Sequence, residues 1–308
     1  MALAMVFPGQ GSQSVGMMNG LAEDFAVVKL TFQEASDALG RDLWAMVTDG
    51  PEEQLNQTQN TQPAMLTAGV ATWRVWQEKG GAVPVIMAGH SLGEYTALVC
   101  AGAIAFTDAV MLVSDRGDYM QQAVPAGQGG MAAIIGLDDD GVRALCDLAA
   151  EGDVLSPVNF NSPGQVVVAG TAAAVQRAVD RAADAGAKKA VVLPVSVPSH
   201  CALMHPAAEK MAARLEQINI TAPRISVLHN TSVMAHTDPA LIRQALVSQI
   251  ESPVRWVETV QKMAADGVSK IIECGPGRVL MGLNKRITKD AQTLPVYDTG
   301  SLEKALAE

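Results

Sequence analysis

The chain is short of cysteine, short of basic charge and without a long apolar run, and each shortage excludes something. Its four cysteines, Cys100, Cys146, Cys201 and Cys274, lie far apart with no C-x-x-C pair. That spacing gives neither a zinc site nor a disulfide framework, and it fits a reducing compartment. Lysine and arginine number 22 against 32 aspartates and glutamates, a formal net charge of −10. A nucleic-acid binder needs a basic face, so that class of partner is not expected, although the balance leaves room for a local basic patch. No apolar stretch approaches the ~18 residues of a membrane span. Met1–Phe7 runs straight into a strand with no basic flank or cleavage site, so no signal peptide is expected. Internal repeats and low-complexity tracts are also missing. These shortages together predict a cytoplasmic protein that binds neither membrane nor nucleic acid.

What the chain has is apolar content, 49% over 308 residues. That buries a large core, as one big domain or as one domain carrying an insertion. The stretch on which the chain is organised is Val85-Ile86-Met87-Ala88-Gly89-His90-Ser91-Leu92-Gly93. A short apolar run stops at Gly-x-Ser-x-Gly, and the alanine-rich Tyr95–Ala103 resumes with helical character. Strand, abrupt turn and helix are the setting in which this pattern means a nucleophile elbow. Such a turn crowds the positions two residues either side of the serine, so only glycine fits at 89 and 93. It lifts the Ser91 hydroxyl to a helix N-terminus, whose partial positive charge favours a developing oxyanion. The plainer alternative is a glycine-rich loop with a serine N-cap. Chance alone supplies roughly 0.1 such matches in a chain of this composition.

Leu3–Phe7 is expected as a first strand, followed by Pro8-Gly9-Gln10-Gly11-Ser12-Gln13. Gly9-x-Gly11 does not complete a dinucleotide fingerprint, because the third glycine falls at Gly16 and no acidic residue ends a second strand about 20 positions on. A structural turn is one reading of this loop. The other is that it brings bare backbone N–H groups to developing negative charge. Helices are expected over Asp24–Leu39, over Pro63–Lys79 with Pro63 in the first turn, and over Thr107–Met120, which sets Arg116 in an apolar neighbourhood. After the glycine-rich run 125–130, the pattern becomes a compact alternation. Strands are expected at Met131–Leu137, Val154–Phe160, Gln165–Ala169 and Lys189–Val197, and helices at Asp138–Ala150 and Thr171–Ala185. That β-α-β-β-α-β order predicts a ferredoxin-like insertion over 126–197, between halves (1–125 and 198–308) of a larger α/β domain with a mainly parallel sheet. Clefts often form where such units meet.

A serine hydroxyl needs a general base, nearly always histidine. His90 flanks the elbow, where neighbouring side chains diverge; His205 reads as a local cap; His236 lies in a polar loop. His200 and His229 both follow strands and stay open as alternatives, with the Pro198-Ser199 turn favouring His200.

Five blocks in order carry a resemblance: Phe7-Pro8-Gly9-Gln10-Gly11-Ser12-Gln13, Thr61-Gln62-Pro63-Ala64, Gly89-His90-Ser91-Leu92-Gly93-Glu94-Tyr95, Pro198-Ser199-His200 and Glu273-Cys274-Gly275-Pro276-Gly277. Together they resemble the malonyl-CoA:acyl carrier protein transacylases of bacterial type II fatty acid synthesis, from residue 3 to about 288. Lys289–Glu308 resembles nothing informative. The resemblance implies an α/β-hydrolase-like large domain with the ferredoxin-like insertion. It makes Ser91 the acyl-carrying nucleophile and His200 its base, with the backbone N–H groups of Gln10 and Leu92 as oxyanion donors. Arg116 matches the family arginine that grips the free carboxylate of malonate, a role suited to a bidentate guanidinium. Without the family, a surface pair with Asp115 or Asp118 would be the simpler expectation for it. No acid stands out as partner to His200, and the resemblance gives that role to a backbone carbonyl near Gln249. The implied partners are malonyl-CoA and an acyl carrier protein, the enzyme a monomer, and no metal or redox cofactor is called for. Docking of an acidic carrier would use Lys188-Lys189 or Lys285-Arg286. A polyketide-pathway acyltransferase taking malonyl or methylmalonyl units, and a serine esterase or thioesterase, are the alternative activities.

Overall fold

Leu3, Ala4, Met5, Val6 and Phe7 are apolar without alternation, as a strand covered on both faces must be. In the computed structural model, which describes residues 2–195 and 197–308, this run is the central strand of a parallel sheet. The strands are β1 (Ala2–Phe7), β2 (Ile86–Gly89), β3 (Gly129–Ile135), β4 (Leu155–Ser162), β5 (Gln165–Thr171), β6 (Lys189–Val192), β7 (Ser226–Leu228), β8 (Val268–Cys274) and β9 (Gln292–Val296). The larger sheet runs β7-β2-β1-β8-β9 with every pairing parallel. Leu3, Met5 and Phe7 point into one apolar cluster and Ala4 and Val6 into the other, so the two faces of β1 anchor two cores.

The smaller sheet is antiparallel, in the order β4-β5-β3-β6. Helices Asp139–Ala150 and Ala172–Arg181 cover one face, where Val142, Leu145 and Val175 pack on Ile134, Val166 and Val168. Each helix starts on a side-chain cap, Asp138 accepting from the Gly141 amide and Thr171 from the Ala174 amide. The opposite face, with Met131, Val158 and Val167, turns toward Cys201 of the long segment that returns to the larger sheet.

Besides shifts of one to three residues at other element ends, four features depart from expectation for identifiable reasons. The helix carrying Gln62 spans Thr58–Glu78, so Pro63 lies inside it and not in its first turn. The proline has no N–H for the Gln59 carbonyl, and Arg41 Nη2 donates to that oxygen instead at 3.0 Å. The helix expected to reach Ala185 stops at Arg181, after which the chain winds through tighter turns to Gly186 at φ 96°. The strand expected over Lys189–Val197 ends at Val192. Beyond it the Val195 amide donates back to the Leu193 carbonyl, which folds the chain out of the sheet.

The segment Lys289–Glu308 is the fourth difference. It supplies β9, paired with β8 from Lys270↔Gln292 to Cys274↔Val296, and helix Thr299–Ala307 with an Asp298–Ser301 capping box. Pro295 interrupts the strand pattern, and β9 tolerates it because it is an edge strand. Leu302 is fully buried. Truncation by Leu302→Ala is expected to cost about 3 kcal/mol, read as a lowered urea midpoint with an unchanged slope; a variant as stable as the parent would mean that this segment is a detachable tail.

Candidate active site

The elbow forms as the spacing of glycines requires. A Cβ at Gly89 would lie 1.8 Å from the Gly93 carbonyl carbon, and one at Gly93 would lie 2.1 Å from the Phe7 oxygen. Between them Ser91 adopts φ 51°, a left-handed conformation that costs a residue with a side chain about 1–3 kcal/mol. Hydrogen bonds hold it there. The Ser91 amide donates to Asn230 Oδ1 at 2.7 Å, and the Ser91 carbonyl accepts from Gln249 Nε2 at 2.9 Å.

The loop after β1 closes on the elbow. A Cβ on Gly9 would stand 2.4 Å from the His90 carbonyl oxygen and 3.7 Å from the Leu92 nitrogen, so a bare backbone is needed for this approach. Behind it, Gly275 at φ 138° packs within 3.1 Å of Pro8 measured from the same imagined Cβ. The motifs at 7–13 and 273–277 are thus two layers of one support. Gln10 and Leu92 both line the cavity beside Ser91, and among the described residues neither amide N–H has a hydrogen-bond partner. Leu92 stands at the N-cap of helix Gly93–Cys100, where helix geometry leaves the N–H free.

His200, not His229, meets the serine. Its Nε2 lies 2.8 Å from Ser91 Oγ, and its Nδ1 lies 2.6 Å from the Gln249 carbonyl. A carbonyl only accepts, so Nδ1 carries the proton and the Nε2 lone pair faces the hydroxyl. The carbonyl is available because Gln249 lies in the last turn of helix Pro239–Glu251, where backbone oxygens lack helical partners and carry partial negative charge. Burial lowers the His200 pKa to about 3, helped by the Arg116 charge and opposed by the Gln249 hydrogen bond. His200 is therefore neutral at physiological pH and ready to accept a proton.

The other histidines are occupied elsewhere. His229 is buried behind the elbow with Nδ1 2.7 Å from Glu94 Oε1. His236 stacks on it at 5.1 Å. His205 is the first residue of its helix, after Met204 at the cap position, and it pairs with Glu251 at 2.9 Å. His90 Nε2 donates to Asn161 Oδ1 at 2.8 Å, joining the elbow to the smaller sheet across the cavity.

Arg116 is 1% exposed, which excludes the surface pair with Asp115 or Asp118; Asp115 is held by Arg214 instead, at 2.6 Å. Its Nη1 donates to Gln62 Oε1 at 2.7 Å, and its Nη2 to Gln249 Oε1 at 3.1 Å and to Ser91 Oγ at 3.3 Å. Its guanidinium lies 5.4 Å from the centre of the Tyr95 ring. None of these partners is a carboxylate, and desolvation holds the arginine below its ordinary pKa. The cavity of about 190 Å³ onto which Ser91, His200 and Arg116 open lies between the two sheets, with Met131, Val167 and Leu193 on its far wall. It can hold a small acyl group with a free carboxylate against the guanidinium and its carbonyl against Ser91.

Reading the sequence residue by residue missed Glu94, Asn230 and the Gln249 side chain. Glu94 is fully buried and accepts from the Asn230 amide at 2.9 Å and from Gln249 Nε2 at 2.8 Å. Its place just after the elbow glycine, where an acid would ordinarily be a solvated first-turn residue, was the one available signal.

This arrangement coincides with what the chain is similar to. The acyl transferase domain family matches residues 4–304. A malonyl CoA-acyl carrier protein transacylase of Haemophilus influenzae is 60% identical over 97% of this chain and 96% of its own length. The chain belongs to the malonyl CoA-acyl carrier protein transacylases. An acyl carrier protein S-malonyltransferase from Vibrio cholerae superposes with a TM-score of 0.96 at 59% identity, over 99% of each chain. A malonyl-transacylase solved in complex with a type II PKS acyl-carrier protein superposes at 0.98 with 57% identity, over 100% of this chain and 99% of its own. The family match extends through β9 and into the last helix, so the C-terminal segment belongs to the shared fold.

The lowered His200 pKa has two measurable consequences. Its ring NMR signals are expected to stay those of the neutral Nδ1–H tautomer from pH 5 to 8, and a midpoint near 6.5 would contradict the burial argument. Because the unfolded chain takes up this proton below about 6.5 and the folded chain does not, stability from this group rises with pH between about 3 and 6.5. The slope approaches ~1.4 kcal/mol per pH unit, and it is expected to vanish in His200→Ala.

Proposed function

We propose that this chain moves the malonyl group from malonyl-CoA to the pantetheine thiol of an acyl carrier protein through a malonyl ester on Ser91. The observation that carries the reading is Arg116: a buried guanidinium without a carboxylate partner, 3.3 Å from the nucleophile oxygen. A serine esterase or thioesterase would share Ser91 and His200 and would have no use for it.

In this mechanism His200 Nε2 takes the Ser91 proton as Oγ attacks the thioester carbonyl. The Gln10 and Leu92 amides receive the oxyanion, each worth about 3 kcal/mol in comparable sites. The intermediate collapses, CoA leaves as the thiol with the proton from His200, and malonate remains esterified. The carrier thiol then gives its proton to His200, attacks the ester and leaves as the malonyl thioester, returning the proton to Ser91. Arg116 binds the malonate carboxylate bidentately. Burial is the larger cause of the lowered His200 pKa and the Arg116 charge the next; that contact offsets the second, so a correctly bound substrate removes part of what weakens its own base. The Gln249 carbonyl orients the imidazole without a negatively charged partner, so the imidazolium is stabilised less than in a triad.

Several finer readings accompany this one. The β-α-β-β-α-β order of the smaller sheet supports a ferredoxin-like domain over 126–197, inserted into an α/β-hydrolase-like domain formed by 1–125 and 198–308. We read the chain as a monomer acting in the cytoplasm; no described helix is long and apolar enough to cross a membrane. For carrier docking we favour the edge where Lys188, Lys189, Lys285 and Arg286 are all exposed. Arg286 Nη1 donates to Gln165 Oε1 at 2.8 Å, and Gln165 and Lys189 flank Ile135 on either side, so both basic pairs serve one face. The 57% identical transacylase solved with a type II PKS carrier favours a second reading of the pathway, in which the acceptor is a polyketide carrier.

Intact-protein mass spectrometry after brief mixing with malonyl-CoA tests the proposal. A malonyl adduct is expected on the parent, absent in Ser91→Ala, at least about 100-fold slower to form in Arg116→Ala, and cleared by added holo carrier protein. An adduct that clears equally fast in buffer alone would identify a hydrolase.

A further inference from the structure

Arg116 is held on two sides by amides where the surroundings could as well have supplied acids. Gln62 is 1% exposed on helix Thr58–Glu78, and its Oε1 accepts from Arg116 Nη1 at 2.7 Å. Its Nε2 has only Met120 Sδ, at 3.7 Å. Gln249 Oε1 takes the other arm, at 3.1 Å. A glutamate at 62 would present an oxygen at the same place and make a charge-assisted pair, the usual arrangement for a buried cation. The carboxylate of Glu94 lies beyond the Gln249 amide, 2.8 Å from its Nε2, and no salt bridge reaches Arg116 among the described residues. The guanidinium is therefore fixed in direction and left charged, and its Nε has no hydrogen-bond partner. A group with a free carboxylate gains the whole pairing, whereas a group without one leaves a desolvated cation uncompensated.

We propose that Gln62 is a specificity-determining residue: by holding Arg116 with a neutral acceptor it keeps the guanidinium charge open for the acyl group's carboxylate, and so sets the preference for malonyl over acetyl. This rests on the reading of Arg116 as the carboxylate-binding residue.

The discriminating variant is Gln62→Glu, which keeps an acceptor beside Nη1 and adds a negative charge. If Gln62 acted only by orienting Arg116, this change would preserve or sharpen the preference. If the open charge is what matters, the new carboxylate occupies the arginine. The readout is the ratio of kcat/KM for Ser91 loading from malonyl-CoA to that from acetyl-CoA, with folding checked by thermal unfolding. We expect Gln62→Glu to lower the ratio about 100-fold, the scale of two charge-assisted hydrogen bonds. Gln62→Leu, which removes the acceptor and adds no charge, is expected to lower it less than tenfold, and it carries the test if the glutamate variant does not fold. A parental ratio in Gln62→Glu, or a loss in Gln62→Leu as large as 100-fold, overturns the role given to Gln62. A parent chain that loads malonyl no better than acetyl would instead remove the reading of Arg116 itself.

Discussion

The Arg116 guanidinium is buried with no carboxylate in salt-bridge contact among the described residues, and much of the site follows from that constraint. An uncompensated buried cation costs several kcal/mol even after relaxation. Here the cost is met in part by two amide oxygens and the face of Tyr95. One of those amides, Gln249, does more. Its side chain donates to the Ser91 carbonyl and to Glu94, while its backbone oxygen holds His200 Nδ1. The arginine, the Ser91 backbone and the imidazole are thereby referred to one residue in the last turn of one helix. Moving any of them moves the others.

The scaffold delivers these groups by bringing strand ends together. β1, β2 and β8 are adjacent and parallel, so the loops after Phe7, Gly89 and Cys274 leave the sheet at the same edge. Ligands commonly bind in that crevice of open α/β sheets. What is particular here is how tightly the loops approach. Gly9, Gly89 and Gly93 each occupy a place where a single methyl group would meet backbone. Backbone does not move aside as a side chain can, so these contacts fix the Gln10 and Leu92 amides relative to Ser91 with little slack.

The parts of this arrangement that depend on short-range sterics were legible in the sequence. Gly-x-Ser-x-Gly between an apolar run and a helix fixes the elbow because the reason for each glycine is local. The strand alternation of 129–192 is local as well, and it gave the smaller sheet. The partner of Ser91 was not legible in the same way. His200 and His229 were both expected just after strands; the Pro198-Ser199 turn gave only a lean to His200 and the resemblance of the surrounding blocks decided, since the choice depends on which helix end each one meets. Glu94 and Gln62 stayed hidden for a related reason: a buried acid or amide on a helix looks like a solvated one until its neighbours are known. β9 was missed because Pro295 breaks the strand pattern, and only its edge position makes the proline acceptable.

The use of a carbonyl where a hydrolase would place an acid agrees with the rest of this electrostatic design. A carboxylate on His200 Nδ1 would raise the basicity of the imidazole whether or not substrate were present, and it would stabilise the imidazolium needed to activate water. The Gln249 carbonyl contributes less, and Arg116 works against protonation. In the proposed reaction the base gains strength when malonate covers Arg116, which ties activation of Ser91 to occupancy by the right acyl group. The same weakness applies once the ester has formed. A thiol of the carrier, with a pKa near that of other thiols, gives up its proton to a feeble base far more readily than water does. A dyad with a neutral second partner therefore favours transfer to a thiol over loss of the acyl group to solvent.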